Sequence, residues 1–190
     1  MMSYLIELIK SFPPLGSGQK TATVYYYCYF GHKQDESKPF LYWLISRLCR
    51  EAKYVPKHLL EICKEGAEAS STSLLQIVAD LMSSFAKVYI AVDALDESSD
   101  RDSLLDVIDA LCTSEQFRAL HIVTTSRDHT DIKRAMISIS IPCPMDNQSV
   151  REDIRKVVCT TLATNQRFRK WPQDLLDEVG EKITSGAHGM

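Results

Sequence analysis

Two short apolar runs constrain the fold of this chain more than any other feature of its sequence. Residues 87–92 read K-V-Y-I-A-V and residues 120–125 read L-H-I-V-T-T. The first run is apolar on both faces, which is typical of a buried strand in a parallel sheet. Because helix-like segments lie between the strand-like ones, the sequence predicts an α/β fold in which helices flank a parallel sheet.

Periodicity and turn residues place the remaining elements. The predicted strands cover residues 21–30, 87–92, 120–125 and 137–141. Apolar spacing predicts helices at 3–10, 39–53, 57–64, 103–112 and 131–135, and another that is capped by Ser71 or Thr72 and extends to Phe85. Two helices, 150–164 and 172–184, then follow without a strand between them. We therefore expect a sheet domain at 1–145 and the start of a small all-helical subdomain at 146–190, with the boundary near Asp146.

Charge and hydropathy narrow the classes of partner. The formal net charge is −3, whereas nucleic-acid-binding domains usually carry a basic excess. No apolar run approaches the roughly 20 residues that span a bilayer. We therefore expect neither nucleic acid nor membrane as a partner. Two features have both a structural and a binding interpretation. The basic residues within 151–170 form either a solvated helix face or an anion-binding patch. The tyrosines of 21–30 form either a buried strand or a platform on which nucleic-acid bases stack.

Cysteine usage indicates a reducing compartment. The chain has six cysteines, and none forms a C-x-x-C pair. Zinc sites and disulfide frameworks need closer spacing or a smaller secreted chain. We expect buried, reduced thiols and a cytoplasmic location.

An acidic cluster follows the first apolar run directly. Residues 88–97 read V-Y-I-A-V-D-A-L-D-E, and ligands of open α/β sheets bind outside the carboxyl ends of the strands. A carboxylate there can hold Mg²⁺, which in turn binds phosphate oxygens, and a second one can orient an attacking water. Asp93 is the candidate metal residue, and Asp96 and Glu97 are the candidate catalytic acids. Alternatively, these acids cap the helix that begins near Asp102.

A basic residue follows the second apolar run. Residues 121–127 read H-I-V-T-T-S-R, so Arg127 is predicted at the carboxyl end of the neighbouring strand. Its guanidinium can bind a γ-phosphate through charge-assisted hydrogen bonds. Alternatively, Arg127 pairs with Asp128 or Asp131.

Together these two segments resemble the Walker B and sensor 1 strands of NACHT-type STAND P-loop NTPases. The resemblance is closest to the nephrocystin-3-like N-terminal domains of fungal NOD-like receptors. V-Y-Y-Y-C-Y-F, D-I-x-x-V at 153–157, W-P-Q-D-L-L-D-E-V and S-G-A-H-G-M support it, so that it covers essentially the whole chain. It implies a partial P-loop NTPase sheet, Mg²⁺ and ATP as ligands of the intact parent, and protein partners or self-association through the NACHT region.

The sequence departs from this family in one respect. The 190 residues contain no G-x-x-x-x-G-K-[ST], the loop whose amides and lysine hold the phosphates. G-S-G-Q-K-T at 16–21 has the wrong spacing and precedes a strand rather than following one. Because residues 1–8 resemble the helix that follows the loop, we expect a chain that begins just after it, binds no nucleotide tightly, hydrolyses none, and is marginally stable or needs a partner.

Three functions compete at this point. The chain is part of a nucleotide-dependent signalling switch, an interaction or structural module that has lost nucleotide binding, or an unrelated Mg²⁺-dependent phosphohydrolase built on D-x-x-D-E. An upstream P-loop favours the first, and activity towards simple phosphate esters favours the third.

Overall fold

The apolar runs lie side by side as strands of one parallel sheet. The computed structural model describes residues 2–11, 20–32, 35–66, 68–145 and 147–187. The strands in this part of the chain are β1 (Thr21–Tyr27), β2 (Lys87–Asp93) and β3 (Leu120–Thr124), in the order β1-β2-β3. Both pairings are parallel. The α/β class predicted from the sequence is confirmed.

Helices connect and flank these strands. They are α1 (Met2–Lys10), α2 (Ser37–Ala52), α3 (Lys57–Glu65), α4 (Ser71–Met82), α5 (Asp102–Thr113), α6 (Thr130–Met136), α7 (Gln148–Thr164) and α8 (Gln173–Gly186). Short 3-10 turns cover Phe30–His32, Leu95–Glu97, Glu115–Phe117 and Gln166–Phe168. The crossovers between the parallel strands are helical, as such connections require.

The two faces of the sheet are covered unequally. On one face, alternate residues of all three strands join the main core with α2, α4 and α5; fully buried members include Val24, Leu44 and Ile90. On the other face, Tyr25, Ala91 and Val123 lie in register and cluster with Met2, Leu5 and Ile6 of α1. The period-2 alternation of the strands therefore separates a large core from a small one.

The tyrosines of β1 and of the residues just after it do not share one environment. Tyr26 packs edge-to-face on Phe40, with ring centroids 5.4 Å apart, whereas Tyr27 and Tyr29 are exposed. At the outer edge of β1, the indole Nε1 of Trp43 donates to the backbone oxygen of Tyr25 (2.7 Å). In the sheet that the described residues form, β1 is thus a packed edge strand, and the exposed rings lie at its last residue and just after it.

The prediction of a strand at residues 137–141 is wrong. Residues 137–139 form a turn, and Ile137 is 82% exposed. The amides of Ile139 and Ser140 both donate to the Met136 carbonyl, at 3.1 and 3.0 Å. Because α6 continues into this hydrogen-bonded turn, these two amides donate within the turn and not to a neighbouring strand.

The cap of α4 differs from the expectation by one residue. Ser70 has extended backbone angles, and its hydroxyl accepts a hydrogen bond from the Ser73 amide (3.1 Å). Ser71 is already helical, so neither it nor Thr72 is the N-cap.

The chain divides into two compact units, 1–140 and 141–190. The predicted boundary residue, Asp146, lies outside the described residues. The second unit contains α7 and α8, as the sequence predicts, with Leu162 and Gly180 buried. A Cβ at Gly180 would lie 3.6 Å from Leu162 Cδ1, so a small side chain at this position would reach ordinary van der Waals contact with α7.

Among the described residues, no helix has the length and apolar character needed to cross a membrane. All six cysteines are free. Only Cys28 is buried and Cys49 is half-buried, so the expectation of buried thiols is wrong for the exposed Cys63, Cys112, Cys143 and Cys159. Three of these four lie on outward positions of amphipathic helices, where apolar neighbours in sequence do not imply burial.

Candidate functional site

The carboxyl ends of the three strands lie at one edge of the sheet because the strands are parallel. Backbone hydrogen bonds continue the sheet into this edge. The Cys28 amide donates to the Asp93 carbonyl, and the Thr125 amide donates to the Val92 carbonyl, both at 3.0 Å. The end of β2 is therefore held from both sides, with Asp93 on the central strand.

Thr125 joins the ends of β2 and β3 through its side chain. Its hydroxyl donates to Asp93 Oδ1 and accepts from the Ala94 amide (3.0 Å). Its carbonyl accepts from the Leu95 amide (2.9 Å). Thr125 thereby fixes one oxygen of the candidate metal ligand, a role that no local pattern in the sequence indicates.

A tight turn after β2 brings Asp96 and Glu97 back to the same edge. Ala94 has left-handed backbone angles (φ 58°, ψ 51°), which side chains with a Cβ rarely adopt. The following 3-10 turn, Leu95–Glu97, is anchored by Leu95, which is 1% exposed. This reversal places Asp96 beside the segment after β3 and Glu97 beside the segment after β1. Neither acid caps α5, because the N-cap position of that helix is Arg101, which makes no side-chain cap bond.

Asp96 reaches across to the segment after β3. Its Oδ1 accepts from the Arg127 amide (3.0 Å), and its Oδ2 lies 3.5 Å from Arg127 Nε. The Asp96 side chain is 6% exposed and the Arg127 side chain 78%. The alternative prediction, in which Arg127 pairs with Asp128 or Asp131, is wrong. Asp128 pairs with Lys133, and Asp131 pairs with Arg101.

Glu97 points towards the segment after β1 instead. Its Oε2 accepts from the Phe30 amide at 3.4 Å, and the residue is half-buried. A carboxylate with one long hydrogen bond and a solvent-facing side can still accept a proton from water. Asp96 and Glu97 are thus neighbours in sequence with different surroundings.

The acids act together on a thiol at this edge. Cys28 is 4% exposed, and burial raises its pKa to about 12, with the negative charges of Glu36, Asp93, Asp96 and Glu97 acting in the same direction. The thiol is protonated at neutral pH, so Cys28 is not a nucleophile. These carboxylates make the electrostatic potential around the thiol negative, which favours the binding of a cation.

The donor set fits one kind of metal site. The described residues contain no group of three or more His, Cys, Asp or Glu that could enclose a metal ion. Mg²⁺, however, keeps several waters and commonly takes only one or two carboxylates together with substrate phosphates. In the described part of the chain no hydrogen bond reaches Asp93 Oδ2, so Asp93 fits as a single ligand of that kind.

The comparison with known families decides which family the chain belongs to. The profile of the family described as nephrocystin 3, N-terminal, matches residues 1–127. The chain belongs to the nephrocystin 3 N-terminal family. The match ends at Arg127, so it includes the whole candidate site of this family member. No curated protein and no solved structure matches the chain significantly.

Proposed function

We propose that this chain is part of a NACHT-type signalling switch, to which it contributes the residues that handle Mg²⁺ and the γ-phosphate. The observation that supports this most directly is the convergence of Asp93, Glu97 and Arg127 at one sheet edge, within a nephrocystin 3 N-terminal match. Carboxylates for a cation beside an exposed guanidinium for an anion suit a Mg²⁺-nucleotide.

Each residue has a separate role in this proposal. Asp93 would hold Mg²⁺, with Oδ1 fixed by Thr125. Mg²⁺ supplies charge that neutralises the phosphate oxygens. Glu97 orients the attacking water, a role that the sequence assigns equally to Asp96. Arg127 binds the γ-phosphate.

The chain itself is expected to bind nucleotide weakly. Its 190 residues lack G-x-x-x-x-G-K-[ST], which supplies most of the phosphate affinity in P-loop proteins. We therefore expect weak binding of Mg-ATP and no measurable hydrolysis by these residues alone. ATPase activity that Asp93→Ala or Glu97→Ala abolishes would contradict the second expectation.

Metal binding is the first test. Mn²⁺ prefers the same oxygen ligands as Mg²⁺, and its paramagnetism broadens nearby amide signals. In ¹⁵N spectra of the full chain, we expect broadening of residues 93–97 and 125–127, abolished by Asp93→Asn. The matched control is Asp153→Asn, since Asp153 is an exposed acid of α7 (76%). Equal broadening in Asp93→Asn, or none in the wild type, would refute the proposed cation site.

A second candidate function is that of an interaction module. In the described part of the chain, β3 pairs only with β2, and such a strand edge can pair with another chain. We propose protein partners or self-association through this region, in the cytoplasm. Dimerisation measured by light scattering, without any response to Mn²⁺ or ATP, would favour this candidate over the switch.

A further inference from the structure

The carboxylate of Asp96 is nearly buried. At 6% exposure, a carboxylate must be paired or hydrogen-bonded to remain ionised without a large cost. Both of its oxygens are directed at one residue, Arg127: Oδ1 accepts from the backbone amide, and Oδ2 faces Nε. The side chain of Asp96 thus binds both the backbone amide and the guanidinium of Arg127.

This arrangement leaves Arg127 able to bind a ligand. A guanidinium has five N–H donors in a planar fork, and Asp96 faces only Nε. The side chain is 78% exposed, so the two terminal nitrogens remain accessible to an anion. Asp96 therefore restricts the position of Arg127 without occupying the donors that a phosphate would need.

Arg101 braces the same turn from the other side. Its Nη1 donates to the Asp96 carbonyl (2.9 Å), and its Nε binds Asp131 in the first turn of α6. The side-chain hydrogen bond from Arg101 lowers the pKa of Asp131 below its ordinary value. The backbone and the carboxylate of Asp96 are therefore both tied to the segment that follows β3.

We propose that Asp96 is a positioning residue, which holds Arg127 at the phosphate edge and leaves the orientation of water to Glu97. The inference rests on the proposed function, since it assumes that Arg127 meets a phosphate. It assigns different work to two adjacent acids that the sequence cannot tell apart.

Amide hydrogen exchange tests the positioning without any ligand. Asp96→Ala removes the acceptor of the Arg127 amide, which should then exchange at least about tenfold faster, since the lost bond is to a charged group. Asp96→Asn keeps an acceptor oxygen and should give a smaller increase. Glu97→Gln is the matched control, because it should leave the Arg127 amide unchanged. An Arg127 amide that is insensitive to Asp96→Ala would overturn the proposal.

Binding of Mg-ATP, followed by NMR titration, tests the consequence. Removing a negative charge beside an anion should by itself tighten binding. A positioning role predicts the opposite, a weakening by Asp96→Ala, with less weakening by Asp96→Asn. Arg127→Ala should weaken binding as much, and the double variant no further, because coupled residues are not additive. Tighter binding by Asp96→Ala would refute the proposal.

Two further results separate this proposal from the proposed function. If Asp96→Asn abolishes the Mn²⁺ effect as Asp93→Asn does, Asp96 is a metal ligand and the proposal is wrong. If the wild type responds to neither Mn²⁺ nor ATP, the proposed function fails, while the order of Arg127 exchange rates still decides whether Asp96 positions Arg127. Asp96→Asn, the milder substitution, serves where Asp96→Ala does not give a folded spectrum.

Discussion

Replacing Thr125 by valine tests the junction on which the candidate site depends. Valine has nearly the same shape as threonine, so the substitution removes the hydroxyl while the packing of this half-buried residue is kept. Two hydrogen bonds are lost: the one to Asp93 Oδ1 and the one from the Ala94 amide. The backbone bonds of residue 125 to Val92 and Leu95 do not involve the side chain and should persist.

The magnitude follows from the two lost bonds. A hydrogen bond to a charged group contributes about 1.5–3 kcal/mol and a neutral one about 1 kcal/mol. Because Thr125 is only half-buried, water replaces part of both contributions. We therefore expect Thr125→Val to lower the free energy of unfolding by about 2 kcal/mol. Thr125→Ser keeps the hydroxyl and loses only one methyl group, so its cost should stay below about 1 kcal/mol.

Urea unfolding of both variants, followed by circular dichroism, measures these values. Hydrogen exchange adds a local readout, since the Ala94 amide should lose protection in Thr125→Val and keep it in Thr125→Ser. If the valine variant is as stable as the serine variant, or if the Ala94 amide remains protected, the hydroxyl does not join the strand ends and the reasoning is wrong.

Two further predictions concern other parts of the first unit. Ala94→Gly should stabilise the protein by about 0.5 kcal/mol, because relief of the left-handed backbone (φ 58°) slightly exceeds the added entropy of the unfolded chain; a lower melting temperature would contradict this. Tyr26→Phe should cost about 2 kcal/mol near neutral pH, because its hydroxyl donates to the carboxylate of the buried Glu36, whereas Tyr54→Phe, at an exposed position, should cost little. Burial and Glu36 raise the pKa of Tyr26, so the contribution of its hydroxyl to stability is complete below about pH 10 and is lost as the pH rises further. Urea unfolding at two pH values should therefore show that the stability advantage of the wild type over Tyr26→Phe decreases in alkali. A difference in stability that does not change with pH would exclude this linkage.

The sequence determined the sheet because short apolar runs rich in β-branched residues leave a direct pattern. The runs at 87–92 and 120–125 predict strands, and β2 and β3 confirm both with ends that differ by one residue. The expected burial is confirmed for β2, whereas it is wrong for β3, whose residues are half-buried and whose His121 is exposed. Since parallel strands end at the same edge, the placement of Asp93 and Arg127 at one edge of the sheet followed from the pattern as well. Residues 137–141 failed because their alternation of isoleucine and serine is local, whereas a strand needs a neighbour to pair with.

The tertiary structure alone decided how the side chains of the site are used. Asp96 and Glu97 are adjacent acids in sequence, yet the left-handed turn at Ala94 directs Asp96 to Arg127 and Glu97 to the Phe30 amide. The joining role of Thr125 depends likewise on the register of β2 and β3. Burial and hydrogen-bond partners arise from residues that are distant along the chain, so a local pattern can place a residue at an edge but cannot choose its partner.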